Sequence, residues 1–251
     1  MLRVKRFVVF SLFVACVSAA FSFWLVRQPG AEASAVMAAP PRAAVKLAAG
    51  APGITTAVNV TSSPDAQWLA DAAAQTDIPL RALQAYVNAA ATANISNPGC
   101  GIGWNTVAAV GFVESGHGSH GGGSLSPTGQ ASGAIVGPSL NGAGFAAIPD
   151  TDGGALDGDP RWDHAVGPMQ FIPSTWRLAG RDGNGDGIAD PFNIDDAALS
   201  AADYLCGHAR DLTTAQGWTD AIYSYNQSDA YIRQVRSQAT TYAAAKAGSA
   251  R

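Results

Sequence analysis

Hydrophobic residues divide the chain into three parts. Residues 7–26 form an uninterrupted apolar run without a single charge. Residues 27–63 are rich in Ala, Pro, Gly, Val and Thr and show no sustained period. Beyond residue 63, apolar side chains recur at the spacing of amphipathic helices. These patterns predict a membrane-targeting segment, a flexible tether and a folded domain over residues 64–246.

The helical pattern predicts seven helices. The first passes through Trp68 and Leu69, with Ser62 and Ser63 as caps and Pro64 in its first turn. The others are predicted from Asp77 to about Ala93, Ile102 to about Ser115, briefly at Ser174, Ile194 to about Ala209, Thr219 to Tyr225, and Asp229 to about Ala245. The fold class is therefore mainly α.

One segment of this domain lacks any helical signal. Residues 116–165 consist largely of Gly, Ser, Asp and Pro. The segment is far longer than an ordinary connection, and loops of this length inside compact domains are usually functional or disordered. We expect a long Gly/Asp-rich insertion here, and the sequence leaves its role open.

The N-terminus has the features of an export signal. Arg3, Lys5 and Arg6 precede the apolar run, and positive charges of this kind stay on the cytoplasmic side. A run of about 20 residues is long enough to span a bilayer and exceeds the usual signal-peptide core. We expect residues 1–26 to be a signal anchor, but cleavage after Ala35 would make them part of a signal peptide and release the protein. Both cases place the domain outside the cytoplasm.

Charge is distributed unequally along the 251-residue chain. Residues 1–53 carry six basic side chains and one acid, a net +5, whereas nine basic and 18 acidic groups give residues 54–251 a net −9. This balance argues against nucleic acid or an anionic bilayer as a partner of the domain. With 47% hydrophobic and 14% charged residues, the chain also lacks the composition of a disordered polyelectrolyte.

Cysteine usage fits an exported protein. Cys100 and Cys206 are the two cysteines outside the apolar run, and an even number in an oxidising compartment indicates a disulfide. We predict that they are bonded, which would tie the start of the third helix to the helix after the long loop. Two unpaired buried thiols are the alternative.

The acidic residues of the domain comprise 17 Asp and a single Glu, Glu114. Glu114 lies at the end of an apolar helix face, directly after Phe112 and Val113. A carboxyl in such surroundings is partly desolvated, and desolvation raises its pKa toward the range that a general acid requires. A solvated carboxylate at a helix end is the alternative, and position alone does not decide between the two.

Residues 182–187 match the beginning of a calcium-binding loop. Asp182, Asn184 and Asp186 offer oxygen ligands at positions 1, 3 and 5, and a glycine follows at position 6. Ile188, at position 7, would contribute its backbone carbonyl. The sequence therefore predicts a structural Ca²⁺ ion at this loop.

The end of the calcium loop departs from the usual pattern. Asn193 stands at position 12, where a bidentate Glu is expected. We expect Asp196, which begins the next helix, to close the site instead. Asp190 is a further candidate ligand, and a metal-free Asp/Gly turn is the alternative.

Four motifs occur in a fixed order along the chain. They are V-E-S-G at residues 113–116, G-P-M-Q-F-I-P-S-T-W at 167–176, D-G-N-G-D-G at 182–187, and Y-N-Q-S at 225–228 followed by Tyr231. Together they resemble bacterial lytic murein transglycosylases, and the second and third resemble the membrane-bound lytic transglycosylase B branch. The resemblance covers residues 64–246 and implies a lysozyme-like α domain.

The resemblance also implies a reaction with one catalytic carboxyl. Glu114 would protonate the glycosidic oxygen between N-acetylmuramic acid and N-acetylglucosamine, and would then deprotonate the 6-hydroxyl that closes a 1,6-anhydro ring. Ser115, Gln170, Tyr225 and Asn226 would bind the sugars of the peptidoglycan strand. The reaction requires no cofactor, and it agrees with the single glutamate because glycoside hydrolases usually need two carboxylates.

Two other functions remain open from sequence alone. A lysozyme-type hydrolase on the same fold would need an aspartate, such as Asp163, to activate water. A nonenzymatic peptidoglycan-binding module would have no need of Glu114. The products distinguish the hydrolase from the transglycosylase, and an absence of turnover would indicate the binding module.

Overall fold

A computed structural model describes residues 37–48, 64–133 and 135–245 of the chain. The apolar run and its cleavage site lie outside these residues, as do Ser62 and Ser63. Predictions about residues 1–36 therefore stay predictions. None of the helices formed by the described residues is long and apolar enough to cross a membrane.

Seven α-helices and one short 3₁₀ helix make up the regular structure of the described residues. They are α1 (Ala66–Thr76), α2 (Leu80–Ser96), α3 (Trp104–Ser115), a 3₁₀ turn (His120–Gly122), α4 (Pro173–Ala179), α5 (Ile194–Cys206), α6 (Ala215–Tyr225) and α7 (Asp229–Ala243). The same residues contain no β-strand, only isolated bridges. The prediction of a mainly α fold is confirmed.

Two helices begin at positions that differ from the prediction because a capping side chain sets their start. The Asp65 carboxylate accepts a hydrogen bond of 2.8 Å from the Trp68 amide and caps α1. Pro64 therefore precedes α1, and its predicted place in the first turn is wrong. Likewise, α6 begins before Thr219 because the Thr214 side chain caps it.

The core forms around α2, which packs against α1, α3 and α5, while α3 also packs against α7. Nearly every residue of α3 from Trp104 to Gly111 is buried, as expected for a helix that is apolar on all sides. The Trp104 ring stacks on Tyr242 near the end of α7, with the ring centroids 6.4 Å apart. These contacts hold α3, whose last turn carries Glu114, inside the domain.

The predicted disulfide is present between Cys100 and Cys206, with the two Cα atoms 5.4 Å apart. It joins the segment before α3 to the last residue of α5, and the Leu212 amide donates to the Cys100 carbonyl beside it. The sequence separation of the two cysteines is 106 residues, so the chain-entropy model gives a stabilisation of about 4 to 5 kcal/mol.

Residues 37–48, which the sequence analysis assigned to the tether, pack on the helical domain. The buried Asn105 side chain of α3 accepts a hydrogen bond from the Ala43 amide and donates one to the Pro41 carbonyl. Apolar side chains of the segment contact the core. This part of the tether therefore belongs to the folded domain, because its backbone and apolar groups find partners there.

The described part of residues 116–165 follows a path fixed by aspartate side chains. The Asp150 carboxylate accepts hydrogen bonds from the amides of residues 152–154, and the Asp157 carboxylate accepts one of 2.7 Å from the His164 amide. Such Asx turns take the place of helices or strands. An isolated bridge between Val136 and Val166 connects this segment to the start of the 167–176 motif.

Candidate active site

Glu114 lies in the last turn of α3 and is 3% exposed. Its Oε1 accepts a hydrogen bond of 2.5 Å from the Tyr231 hydroxyl on α7. Its Oε2 is also buried and has no hydrogen-bond partner among the described residues. A buried polar atom without a hydrogen-bond partner destabilises the folded state. Oε2 is therefore the atom of Glu114 with unused capacity for a hydrogen bond to a ligand.

Burial raises the pKa of Glu114 well above its ordinary value of 4.5, and the hydrogen bond from Tyr231 lowers it by a smaller amount. A carboxyl in this setting carries its proton at a pH where surface carboxylates are ionised. Glu114 is thus desolvated and is not a solvated carboxylate at a helix end, which decides between the two alternatives that the sequence left open.

Two tyrosines lie close to Glu114. Burial raises the pKa of Tyr225 and Tyr231 well above 10.0, and the charge of Glu114 raises both further. The Tyr225 hydroxyl, on α6, donates to the Met169 carbonyl at 2.7 Å. Tyr231 belongs to the fourth motif, where the sequence marks it as an aromatic side chain on which a sugar ring could stack. It lies in the first turn of the helix that Ser228 caps, and its contact with Glu114 is not predictable from that position.

Ser115 supports the site from within the protein. Its hydroxyl is fully buried, donates to the Pro168 carbonyl at 2.6 Å and accepts from the Gly118 amide at 2.7 Å. These bonds occupy the hydroxyl and suit a residue that orients the site, and the predicted contact of Ser115 with a sugar stays a prediction. The Ser115 hydroxyl links the end of α3 to the 167–176 motif through its hydrogen bond to Pro168.

Gln170 adopts a left-handed backbone conformation, with φ of 52°. Its side-chain Nε2 donates to the Gly167 carbonyl at 2.9 Å and to the Ile135 carbonyl at 3.3 Å. A non-glycine residue with positive φ stores strain and is common at functional sites. Both amide protons are used within the protein, so Gln170 shapes the turn of the motif, and its Oε1 is the atom left for a ligand.

Asn226, which follows α6 directly, differs from Ser115 and Gln170. Its side chain is 3% exposed, yet neither Nδ2 nor Oδ1 has a hydrogen-bond partner among the described residues. A primary amide donates and accepts, so Asn226 matches an acetamido group in both respects. Of the four predicted sugar-binding residues, it offers the most hydrogen-bonding capacity.

The loop of residues 182–196 is organised around the buried Asp196 carboxylate. Asp196 Oδ1 accepts from the amides of Gly183 and Asn184, and Oδ2 accepts from the amide of Asp190. Burial raises the pKa of Asp196, the three hydrogen bonds lower it, and the nearby charge of Asp182 raises it. Asp182 and Asp196 thus repel each other, and the predicted ligands are all oxygen atoms, a donor type that Ca²⁺ prefers. Asp182, Asp186 and Asp196 do not, however, form a group of carboxylates within 4.8 Å of one another in the described residues.

Asn193 is occupied elsewhere. Its Oδ1 caps α5 by accepting from the Asp195 amide, and its Nδ2 donates to the Thr128 carbonyl. Asp190 accepts from the Gln130 side chain and is partly engaged as well. Asp196 is engaged too, since both of its oxygens accept backbone hydrogen bonds, so its role as the closing ligand stays a prediction.

A cluster of acidic side chains lies in the Gly/Asp-rich segment. Asp150, Asp152 and Asp163 place carboxylate oxygens within 4.8 Å of one another. Asp163 is fully buried, and its two oxygens accept from the amide and the hydroxyl of Thr151, both at 2.8 Å. These bonds account for Asp163 as a residue that holds the loop.

Comparison with known families adds one observation. Residues 156–220 match the transglycosylase SLT domain. The match supports the lytic transglycosylase family, and the strand-free helical structure of the described residues is consistent with a lysozyme-like SLT domain. No curated protein and no solved structure gives a significant match to the chain.

The SLT match contains Gln170 and the 182–196 loop, whereas Glu114, Tyr225 and Asn226 lie outside it. Hydrogen bonds connect the two parts, because the carbonyls of Pro168 and Met169 accept from Ser115 and Tyr225. At Gly167 a Cβ would lie 1.8 Å from the Pro191 carbonyl oxygen. Only glycine therefore allows the 167–176 motif to pack against the 182–196 loop.

Proposed function

We propose that this chain is a peptidoglycan lytic transglycosylase of the membrane-bound lytic transglycosylase B type. It would cleave the β-1,4 bond between N-acetylmuramic acid and N-acetylglucosamine and leave a 1,6-anhydro end. The observation that carries this proposal is the buried Glu114 carboxyl with its unpartnered Oε2. The SLT match of residues 156–220 supports the substrate class.

In the first step, Glu114 transfers its proton to the glycosidic oxygen. The bond from that oxygen to C1 of the muramic acid breaks, and the 2-acetamido carbonyl assists the departure. Negative charge then develops on Glu114, where the Tyr231 hydroxyl already donates to Oε1. A donor aimed in advance at developing charge stabilises the transition state.

In the second step, the Glu114 carboxylate takes the proton from the 6-hydroxyl of the same muramic acid. The 6-oxygen bonds to C1, which closes the anhydro ring and returns Glu114 to its protonated state. One group serves as acid and then as base, so no water enters the product. A raised pKa suits this cycle, because the residue must hold a proton at the start of each turnover.

Asn226 is the residue we assign to acetamido recognition, because its buried amide has no protein partner among the described residues. Gln170 Oε1 is a second candidate contact. Glu114 Oε2 is shielded from solvent in this structure, so the cleft must open around the glycan before the proton can be transferred.

A hydrolase mechanism has less support. It requires a second carboxylate to activate water, and Asp163 was the candidate from sequence. Both Asp163 oxygens are bonded to Thr151, and burial and Tyr231 account for the pKa of Glu114 without a second carboxylate.

We propose that Ca²⁺ stabilises the loop of residues 182–196. Asp182, Asn184, Asp186, the Ile188 carbonyl and Asp196 would hold the ion, which would neutralise the repulsion between Asp182 and Asp196. The ion would stabilise the fold beside the 167–176 motif and take no part in the chemistry.

We further propose that the domain acts outside the cytoplasmic membrane, where its substrate lies. The Cys100–Cys206 disulfide supports an oxidising compartment. Residues 1–26 would anchor the domain or direct its export.

The experiment that tests the function is mass spectrometry of purified peptidoglycan digested in H₂¹⁸O. We expect anhydromuramyl ends without ¹⁸O, and we expect none from the Glu114→Gln variant. Reducing ends that carry ¹⁸O would instead identify a hydrolase. A folded protein that binds the glycan without any product would identify a binding module.

A further inference from the structure

His117 takes no part in the two chemical steps proposed above, yet its side chain is bonded on both sides. It lies three residues after Glu114, just beyond the end of α3, and is 5% exposed. Its Nδ1 lies 3.0 Å from the Tyr86 hydroxyl on α2, and its Nε2 lies 2.9 Å from the Tyr242 hydroxyl on α7. One imidazole ring thus connects α2 and α7 at the end of α3.

Both ring nitrogens of His117 are used in these contacts. Burial, and to a lesser degree the charge of His120, lowers the pKa of His117 from 6.5 to about 4, so the ring is neutral near pH 7. A neutral imidazole has one donor and one acceptor nitrogen. One tyrosine therefore donates to the ring and the other accepts from it, as expected of a residue that connects helices.

The backbone at His117 is held in an uncommon conformation. Gly116 and His117 both lie in the left-handed region, with φ of 56° and 63°. A residue other than glycine is strained there, and such strain persists only where the surroundings enforce it. The His117 amide also donates to the Gly111 carbonyl at 3.0 Å. Backbone and side-chain bonds together fix the position of the ring.

Tyr86 reaches His117 through a gap on α3 that requires glycine. A Cβ at Gly111 would lie 2.8 Å from Tyr86 Cζ and closer still to the hydroxyl oxygen. Any other residue at position 111 would therefore displace the Tyr86 ring. Glycine destabilises a helix interior relative to alanine, so α3 is less stable here at the point where it admits the Tyr86 hydroxyl.

α7 is tied to the end of α3 at two points. Near the start of α7, the Tyr231 hydroxyl donates to Glu114 Oε1, and near its end the Tyr242 hydroxyl contacts His117. The two tyrosines are about 16 Å apart along the helix axis. At the other end of α3, the Asn105 side chain donates to a carbonyl of α7 at 3.0 Å. A helix bonded at two points cannot slide or rotate as freely as a helix bonded at one.

We propose that His117 is a positioning residue: through Tyr242 it fixes α7 against the end of α3, and it thereby keeps the Tyr231 hydroxyl on Glu114 while charge develops there. The inference rests on the proposed function. A donor stabilises a transition state when it is already aimed at the developing charge, and small displacements of such a group lower the rate. His117 acts through Tyr231 and makes no contact with the sugar.

The first test is a double-mutant cycle between the two tyrosines of α7. Tyr242→Phe removes the hydroxyl at His117 and keeps the ring that stacks on Trp104. We expect this variant to lower kcat severalfold at an unchanged KM. In the Tyr231→Phe background it should lower kcat no further, because no hydroxyl is left to position. Losses that simply add would overturn the proposal.

Two amides at position 117 give a second comparison and guard against misfolding, since both keep a polar group at a buried polar position. His117→Gln places its amide near the site of Nε2 and keeps a bond to Tyr242. His117→Asn reaches only the site of Nδ1 and keeps the bond to Tyr86. We expect a nearly native kcat for His117→Gln and a severalfold lower kcat for His117→Asn. Equal kcat values in the two variants would overturn the proposal.

Thr106→Val is the matched control for the loss of a buried hydrogen bond on α3. The Thr106 hydroxyl accepts from Trp218 Nε1 at 3.3 Å, in the first turn of the helix. This variant should lower the unfolding temperature and leave kcat unchanged. A fall in kcat as large as that of Tyr242→Phe would show that kcat merely follows stability, and would overturn the positioning role.

A measurement without turnover separates failure of this proposal from failure of the proposed function. In protein labelled with [δ-¹³C]glutamate, the carboxyl signal of Glu114 reports its pKa. Because the bond from Tyr231 lowers this pKa, a loosened bond in Tyr242→Phe should raise it, and Thr106→Val should not change it. An unchanged pKa in Tyr242→Phe, with glycan still cleaved by the native chain, would overturn the positioning role alone. A raised pKa in a chain that cleaves no glycan would overturn the proposed function alone.

Discussion

Two buried carboxylates can be compared, Glu114 in the last turn of α3 and Asp196 in the loop of residues 182–196. They differ in how many hydrogen bonds they accept. In the loop, Asp196 accepts three backbone hydrogen bonds. In α3, Glu114 accepts one from Tyr231, and its second oxygen has no partner among the described residues. The loop thus uses its carboxylate to hold the chain in shape.

Of these two buried acids, Glu114 is the one with an oxygen that no described residue bonds, and it is therefore the one available for chemistry. A buried acceptor without a partner destabilises the folded state, and such groups persist where a ligand is to be bound. Asn226 repeats the pattern, since both polar atoms of its side chain are unpartnered within the described residues. We therefore expect changes near Glu114 to affect turnover and changes in the loop to affect stability.

We expect the largest effect from the Glu114→Gln substitution. Removal of the proton donor should lower the cleavage rate by about 10³-fold or more, as is typical for a general acid. The variant should also be more stable than the native chain, by a margin that grows as pH rises above 4.5. A raised folded pKa means that the native chain loses stability as pH rises toward that pKa.

Cleavage assays and thermal unfolding at several pH values measure both effects. Asp220→Asn, on α6, removes a carboxylate that accepts a hydrogen bond from Gln216 and from no other described residue, and it is the matched control. Full activity of Glu114→Gln would refute the assignment.

Removal of Ca²⁺ from the loop of residues 182–196 should affect the stability of the protein. We expect chelation to lower the free energy of unfolding by about 2.7 kcal/mol where the free ion is at about 100 times its dissociation constant. Asp196→Asn should abolish that response, and Asp220→Asn should retain it. Unfolding temperatures that do not change with Ca²⁺ would show that the loop binds no ion under these conditions.

Tyr231→Phe removes the hydrogen bond that Glu114 Oε1 accepts from Tyr231. We expect kcat to fall about tenfold, because the bond strengthens when Glu114 becomes charged. Since this bond lowers the pKa of Glu114, its loss should also move the pH profile to higher pH. Tyr223→Phe, at an exposed tyrosine of α6, is the control. An unchanged kcat and pH profile would exclude a role for Tyr231.

The smallest effect concerns His117, which lies just after α3 between the hydroxyls of Tyr86 and Tyr242. Burial, and to a lesser degree the charge of His120, lowers its pKa from 6.5 to about 4. The unfolded chain therefore binds a proton that the folded chain excludes, and stability falls as pH drops below 6.5.

We expect His117 to contribute a loss of about 1 kcal/mol between about pH 7.5 and about pH 6. Chemical unfolding at several pH values should show a smaller loss for His117→Gln than for the native chain. Equal slopes in the two proteins would contradict this role of His117.

Much of the helical framework could be predicted from sequence. Periodicity located the seven α-helices of the described residues approximately. A helix that packs on a core carries apolar side chains at intervals of three and four residues, and this spacing is visible in the sequence. The disulfide between Cys100 and Cys206 was predictable from cysteine number and compartment. Residues 37–48 were assigned to a tether, because a segment without periodicity gives no sign of its partners on α3.

The candidate site was predictable only in part. Glu114 stood out as the single glutamate of the domain. Its burial does not come from the apolar neighbours in sequence, because Phe112 is 45% exposed and Val113 is half-buried. The inward bonds of Ser115 and the pairing of Tyr231 with Glu114 depend on how α3, α7 and the 167–176 motif meet in space. Local sequence carries no record of such tertiary contacts.

The most direct test of the central claim is the pKa of Glu114 itself. The chain contains two glutamates, Glu32 and Glu114, so a protein labelled with [δ-¹³C]glutamate gives two carboxyl signals, and Glu114→Gln assigns them. We expect the Glu114 signal to titrate well above 4.5. A Glu114 signal that titrates at or below 4.5 would contradict a desolvated general acid at this position.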